Sequence, residues 1–333
     1  MNYFQKIENK EWQSFLNKVL FKTFFHSLEW EEFLEKEFSW LRFERYLYKN
    51  EAILSLARVK VFSKEKLISH PFCEYGGPLP LQDKIDGENF KNNLLSEFKD
   101  RIRIRFHPHT LNYFSIESDK GEKSNINTYF IESFQQKTKD QVWNSFRKTL
   151  CHSIKKSQNQ EVKIKRCDNE KELSSFYNLY IKSAKRHLVP AYPFSFFKYF
   201  LDSSNSEIVL AIKDGKIIAG SVFLFYGRFI HYFLNASDER FKDLYSNHLI
   251  LWDEIQKYAG GNNYEVFDLG GTRSGSPLEV FKSGWGTKKY PIYEVSNLSK
   301  ESGVRESKLR KVFGLLPSFL IERLSPYLLK FKV

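Results

Sequence analysis

The spacing of apolar residues changes period repeatedly along the chain, and each change predicts an element. Between residues 8 and 40 the period is helical. Trp12, Phe15, Leu16 and Val19 form one stripe, and Trp30, Phe33, Leu34 and Phe38 a second. Two β-branched or aromatic runs follow, Leu41–Tyr48 and Ala52–Phe62, with Lys-Asn-Glu turn material between them. The stretch Pro71–Pro80 brackets a Gly-Gly with prolines and reads as a loop, and Lys84–Phe98 reads as a helix. Arg101–Phe106 (RIRIRF) alternates strictly, which predicts a strand with arginines on one face and Ile102, Ile104 and Phe106 on the other. Thr128–Ser133 is a further short strand. Asp140–Gln158 carries a clear helical stripe of Trp143, Phe146, Leu150 and Ile154, surrounded by mostly basic positions.

After a strand at Glu161–Arg166, the pattern gives helices at Glu170–Arg186 and Phe194–Leu201 around a proline-broken loop, Val189–Pro193. Strands at Glu207–Lys213, Lys216–Tyr226 and Phe229–Ala236 come next, the first two joined by Asp214-Gly215, a strong hairpin signal. A polar loop, Ser237–Ser246, leads into a helix at Asn247–Ala259, then strands at Val266–Leu269 and around Tyr290–Val295. The order is helix, helix, antiparallel strands, loop, helix, strand. The first half has a looser version of it, so two related α/β domains side by side are expected, although no repeat of fixed period is visible.

Composition narrows the class. The 333 residues are long for one core, so two domains are the default. At 41% hydrophobic and 28% charged the chain is an ordinary globular one. A net charge of +12 suits a polyanionic partner or a lysine-rich solvated surface equally. Cys73, Cys151 and Cys167 are scattered, with no metal-ligand spacing, which points to a reducing compartment and no structural zinc. His107 and His109 stand two apart, but no third ligand can be named, so no metal is expected. The N-terminus lacks the apolar core of a signal peptide, and no run is long enough to span a bilayer. A cytoplasmic monomer is expected.

The stretch with most chemical content is Val266–Gly286, VFDLGGTRSGSPLEVFKSGWG. Glycines allow close backbone approach to a ligand, and Lys282 sits between two glycine clusters on an apolar background of Val280, Phe281 and Trp285. Such a lysine can stabilise the oxyanion of acyl transfer or hold a phosphate. Asp268 either handles the proton of an amine or caps its own turn. Arg273 either binds an anion or is solvated. Tyr75-Gly76-Gly77 either meets an acceptor through its backbone or is a plain turn.

The strand, loop, helix, strand order over 207–269 resembles that of GNAT acyltransferases, in which a loop and helix N-terminus hold the donor's phosphates. The loop here, Asp238–Ser246, lacks their glycine-rich cradle. FDLGG (Phe267–Gly271), then Phe281-Lys282 and Gly284-Trp285-Gly286, is similar to the FemABX-like transferases and their BioF2-like and exopolysaccharide-associated relatives. So are HSLEW (His26–Trp30), YGGPLP (Tyr75–Pro80), IKKS (Ile154–Ser157), KIIAGSVF (Lys216–Phe223) and Asn235-Ala236-Ser237. That resemblance implies an α/β (α+β) fold of two tandem GNAT-like domains with mixed, largely antiparallel sheets and a cleft between them. The domains would be 1–158 and 159–300, followed by a basic amphipathic tail, 301–333.

The resemblance also implies transfer of an acyl or aminoacyl group from aminoacyl-tRNA or acyl-CoA to an amine of a cell-envelope precursor, a peptidoglycan peptide or a polysaccharide. No cofactor is tightly bound in this reading. Phe281 and Lys282 match the family's channel pair, Gly270 and Gly271 would shape the donor site, and Arg186 would bind acceptor phosphate, with Tyr192 a weaker match. The chain departs from the family at Cys151, where arginine is common, and lacks the coiled-coil arm linked to tRNA. The competing reading is a non-catalytic GNAT-like module that binds RNA or anionic membrane through its basic surface. The tail Lys311–Val333 fits either a cytoplasmic membrane face or a helix packed across the cleft.

Overall fold

The computed structural model describes residues 2–99, 101–116, 122–261, 263–298 and 317–331. The chain starts with β1 (Phe4–Lys6), α1 (Asn9–Lys18) and α2 (Leu28–Glu37). Antiparallel β2 (Leu41–Tyr48), β3 (Ala52–Val61) and β4 (Lys64–Ile68) follow, then a short β5 (Leu79–Pro80). A helix, α3 (Gly87–Glu97), crosses over to β6 (Arg101–Arg105), and one-turn α4 (Pro108–Leu111) leads to β7 (Glu122–Ile131). After α5 (Lys139–Asn144) and α6 (Lys148–Asn159) the plan recurs. It runs through β8 (Lys163–Arg166), α7 (Glu170–Arg186), α8 (Phe194–Asp202), β9 (Ser206–Lys213), β10 (Lys216–Tyr226) and β11 (Phe229–Ser237). It then continues through α9 (Ser246–Tyr258), β12 (Val266–Arg273), α10 (Pro277–Ser283) and β13 (Lys288–Ser296). A C-terminal helix spans Ser318–Leu328.

The strands form a single mixed sheet in the order β1-β2-β3-β4-β6-β13-β7-β12-β11-β10-β9-β8. The order is symmetric about its middle, with β2, β3, β4 and β6 answering to β9, β10, β11 and β12. Each half has one parallel pair, β4 with β6 and β11 with β12, joined by a crossover helix. The last strand of each half is exchanged: β13 pairs with β6, β7 pairs with β12, and the two meet antiparallel at the centre. The tandem α/β units expected from element order are therefore present, but in one continuous sheet instead of separate ones. Exchange gives β6 and β12 partners for backbone groups that would otherwise lie on an open edge.

Local patterns explain most elements. Arg101–Arg105 alternates in burial as its sequence does, and Arg105 Nε donates to Glu294 Oε2 at 2.7 Å across the β6–β13 pair. Asp214 and Gly215 take φ of 49° and 73°, the left-handed pair that a tight hairpin needs. Asn169 caps α7 by accepting from Glu172 N–H at 3.0 Å. The single helix expected over 140–158 is two. The chain is extended at Arg147, whose N–H donates to Gly284 O at 2.9 Å, so a tertiary contact takes the place of a helical one.

One apolar core joins the halves: Phe24, Phe25, Trp30 and Leu34 pack in a single cluster with Phe176, Tyr177, Phe196 and Phe200. A second cluster sets Phe146, Leu150 and Ile154 against Leu249, Ile250 and Trp285, so residues before 158 pack inside the second unit. Of the tail, residues 301–316, 332 and 333 lie outside the described residues. Its last helix packs on α7.

Candidate active site

The site grows from the parallel pair of the second unit. β11 and β12 are paired only over Phe229–His231 and Val266–Asp268. Past Asp268, β12 shifts register against β7, and Gly270 takes φ of +74°, a conformation glycine adopts without penalty. The pairing therefore stops at His231 and Asp268. Beyond it a cavity of ≈ 220 Å³ is lined by Tyr232, Asn235, Ser246, His248, Leu278 and Phe281 among others. Ser246 opens α9, and its buried Oγ has no hydrogen-bond partner among the described residues.

Asp268 is fully buried and accepts from four donors. They are His231 Nδ1 at 2.7 Å, Thr128 Oγ1 at 2.9 Å, Gly270 N–H at 2.7 Å and the Tyr75 hydroxyl. Burial acts to raise its pKa, but the charge and hydrogen bond of His231, the Tyr75 hydroxyl and the Gly270 amide outweigh it and hold the carboxyl at about 2. For His231 burial acts to lower the pKa. Asp268, with Glu74 beyond it, outweighs that and raises it.

Glu74 extends the line of charge. Its Oε2 lies 3.8 Å from His231 Nε2, and its Oε1 accepts from Gly271 N–H at 2.8 Å. Lys282 stands opposite, 5% exposed on α10, and donates to Gly271 O at 2.8 Å. Burial lowers its pKa against the pull of Glu74 and Asp268. A Cβ on Gly270 would lie 3.3 Å from Glu74 Oε1 and 3.4 Å from Lys282 Nζ, so the two charges flank one glycine. The result is an alternating row of carboxylate, imidazole, carboxylate and ammonium. Asp268 is sealed in, whereas Glu74 retains 26% of its side-chain exposure and can meet a ligand.

The other expected residues divide. Tyr75 is brought to Asp268, and Phe281 lines the cavity, its ring 5.1 Å from that of His248. Gly76 and Gly77 serve packing: added Cβ atoms would lie 2.5 Å from His70 Cβ and 2.6 Å from Arg105 O. Their closeness lets the loop between β4 and β5 lie on β6 and deliver Glu74 and Tyr75 to the second unit. Tyr192 is a buried aromatic stacked on Phe196 at 4.9 Å. Arg186 pairs with Glu239 at 3.3 Å in the turn after β11, and Arg273 is exposed at the end of β12. His107 packs edge-on to Tyr75 at 4.5 Å, and His109 Nε2 meets Glu132 at 3.1 Å.

Residues 144–283 match the acetyltransferase (GNAT) domain family. Over 158 residues, 46% of this chain, the sequence is 26% identical to the UDP-N-acetylmuramoylpentapeptide-lysine N(6)-alanyltransferase of Weissella viridescens. The match covers 43% of that protein, so the chain spans less than half of this curated relative. Among solved structures, FemX covers 88% of this chain and 97% of its own, with a TM-score of 0.64 and 15% identity. A tandem GNAT protein from the clavulanic acid biosynthesis pathway covers 90% of this chain and 99% of its own, with a TM-score of 0.51 and 6% identity. At these identities the structural likeness speaks to the fold.

Proposed function

We propose that the chain is a FemABX-like protein of the GNAT superfamily and an N-acyltransferase acting on a cell-envelope precursor. The observation that carries this reading is the row Asp268, His231, Glu74 and Lys282 where β11 and β12 part, next in the chain to Tyr232 and Phe281 of the cavity wall. The alanyltransferase relative, whose name gives a peptidoglycan-precursor acceptor, supports an amine as nucleophile.

The acyl arm of the donor enters the cavity beside Phe281, with an aminoacyl ester of tRNA or an acyl thioester of CoA as the two donor classes. Either class places the reaction in the cytoplasm. The acceptor amine attacks the carbonyl carbon, a C–N bond forms, and the carbonyl electrons move onto oxygen. Lys282 has two N–H groups beyond the one held by Gly271, and these face the developing oxyanion. Such a donor in a dry site contributes roughly 3–4 kcal/mol. Glu74 takes the proton of the attacking nitrogen and returns it to the departing ribose oxygen or sulfur as the C–O or C–S bond breaks. His231, fixed by Asp268, holds Glu74 in place. Arg186 is retained as the anchor for acceptor phosphate, on condition that the ligand displaces Glu239.

Lys282→Ala and Glu74→Gln are each expected to fold and to lose at least about a hundredfold in turnover. Purified protein assayed with alanyl-tRNA and acetyl-CoA against a lysine-containing precursor pentapeptide checks this. Full activity in Lys282→Ala would sink the assignment. Thermal shift separates the donors, since a ligand at 100 times its Kd stabilises by about 2.7 kcal/mol.

A further inference from the structure

The exposed large apolar side chains among the described residues are unevenly spread. Leu20 stands alone, and Leu278 and Val280 lie on α10. The other five, Phe62, Phe319, Leu324, Tyr327 and Phe331, belong to the β3–β4 hairpin tip and the C-terminal end of the chain. Phe62 is 75% exposed and has φ of +56°, an uncommon conformation for a bulky residue, so the turn holds its ring outward without burying it. Its ring lies 5.5 Å from that of Phe331, which brings the hairpin and the chain end together.

The helix Ser318–Leu328 has two apolar sides. Ile321 and Ser325 are buried with Leu329, and Ser325 Oγ accepts from Ala191 N–H at 3.0 Å, tying the helix to the loop that carries Tyr192. At 100° per residue, Phe319, Leu324 and Tyr327 fall on the opposite arc, with Arg323 among them. Lys330 Nζ sits 5.4 Å from the rings of Phe62 and Phe331, and Lys64, paired across the hairpin with Val61, lies beside the tip.

We propose that this surface docks the protein on a bilayer rich in anionic lipid. Aromatic rings ringed by lysine and arginine match the boundary between headgroups and acyl chains, where each basic residue adds attraction to an anionic leaflet. No helix among the described residues is long and apolar enough to cross a membrane, so the contact is peripheral. A second copy is a poor occupant, because a two-fold contact would set Lys64, Arg323 and Lys330 against themselves. Docking here would hold the Val189–Pro193 loop near the lipid surface, and it stands independently of the catalytic reading.

The test is co-sedimentation of the full chain with vesicles of phosphatidylglycerol and phosphatidylcholine, against phosphatidylcholine alone, at ~0.15 M salt. Binding at least about tenfold tighter to the anionic vesicles is expected. Phe62→Asn/Phe319→Ser/Tyr327→Ser should lose about tenfold or more of that binding with an unchanged melting temperature, since all three side chains are exposed. Arg323→Gln/Lys330→Gln, which leaves the rings intact, should lose the anionic preference. Absence of vesicle binding, or equal binding by parent and triple variant, overturns the proposal. So does light scattering that shows a dimer in the parent and a monomer in the triple variant without lipid binding.

Discussion

His231 lies between Asp268 behind it and Glu74 in front, and its protonation follows from that placement. Burial alone would favour the neutral ring, but Asp268, in contact at 2.7 Å, reverses the balance and raises the pKa above 6.5. Because the folded pKa is raised, the stabilisation is complete below the unfolded value of about 6.5 and fades as pH rises through the folded value. In Asp268→Asn the burial effect is left unopposed except by Glu74, and the His231 pKa should fall. Histidine NMR titration of parent and variant checks this, and an unchanged value would show that Asp268 does not govern the ring. Asp268 stood out in the sequence because FDLGG marks it. His231, in the middle of a strand, and Glu74, inside FCEY, carried no such mark. Their meaning arises from the pairing of His231 with Asp268 across two strands and from a loop arriving from the other half of the chain.

At the level of elements, the glycine turn after β12 and the helix α10 set the distance between Glu74 and Lys282. Ser276 caps α10 by accepting from Glu279 N–H at 3.2 Å, and Pro277 begins it, which aims Lys282 back at Gly271. Gly271 has no positive φ, yet a Cβ there would stand 2.3 Å from Glu74 Cγ and 2.9 Å from Ile126 Cγ2. Gly271→Ala should therefore act through crowding alone, costing about 1–3 kcal/mol in urea unfolding and displacing Glu74. Adding Glu74→Ala should recover part of that loss, a coupling that a double-mutant cycle measures. Purely additive effects would show that the loop does not press on Glu74. The strand into this turn was legible because its period and its Asp-Leu-Gly-Gly signal are local, whereas α10 was not assigned from the sequence. The break at Arg147 was not legible either, since a carbonyl of Gly284 causes it.

For the molecule as a whole, strand exchange and a shared core couple the halves, and several titratable groups are enclosed in the interior. His70 packs against Phe43 and Phe25 at 5.1 and 6.0 Å, and burial pulls its pKa down to about 3. A depressed histidine is neutral when folded and binds its proton first when unfolded, so stability is lost as pH falls from about 6.5 toward 3. The loss attributable to His70 should reach roughly 2–4 kcal/mol. Glu254, raised to about 7 by burial, works in the opposite sense over the upper part of that range. The check is thus a comparison: His70→Phe should show a shallower decline of urea midpoint between about pH 6.5 and 4 than the parent. Equal slopes would remove His70 as a source of acid sensitivity.

Residue spacing alone was enough for most of the elements, their order and the tandem α/β plan, since these depend on neighbours within a turn or a hairpin. Three matters depended on contacts between residues far apart in the chain. The strand exchange makes one sheet of two units. The loop packed on β6 through Gly76 and Gly77 brings Glu74 and Tyr75 to Asp268, 194 and 193 residues away. The meeting of Phe62 with Phe331 turns two unremarkable exposed rings into a surface. Pairing and register across that distance are set by the packing of the whole chain, and no local pattern encodes them.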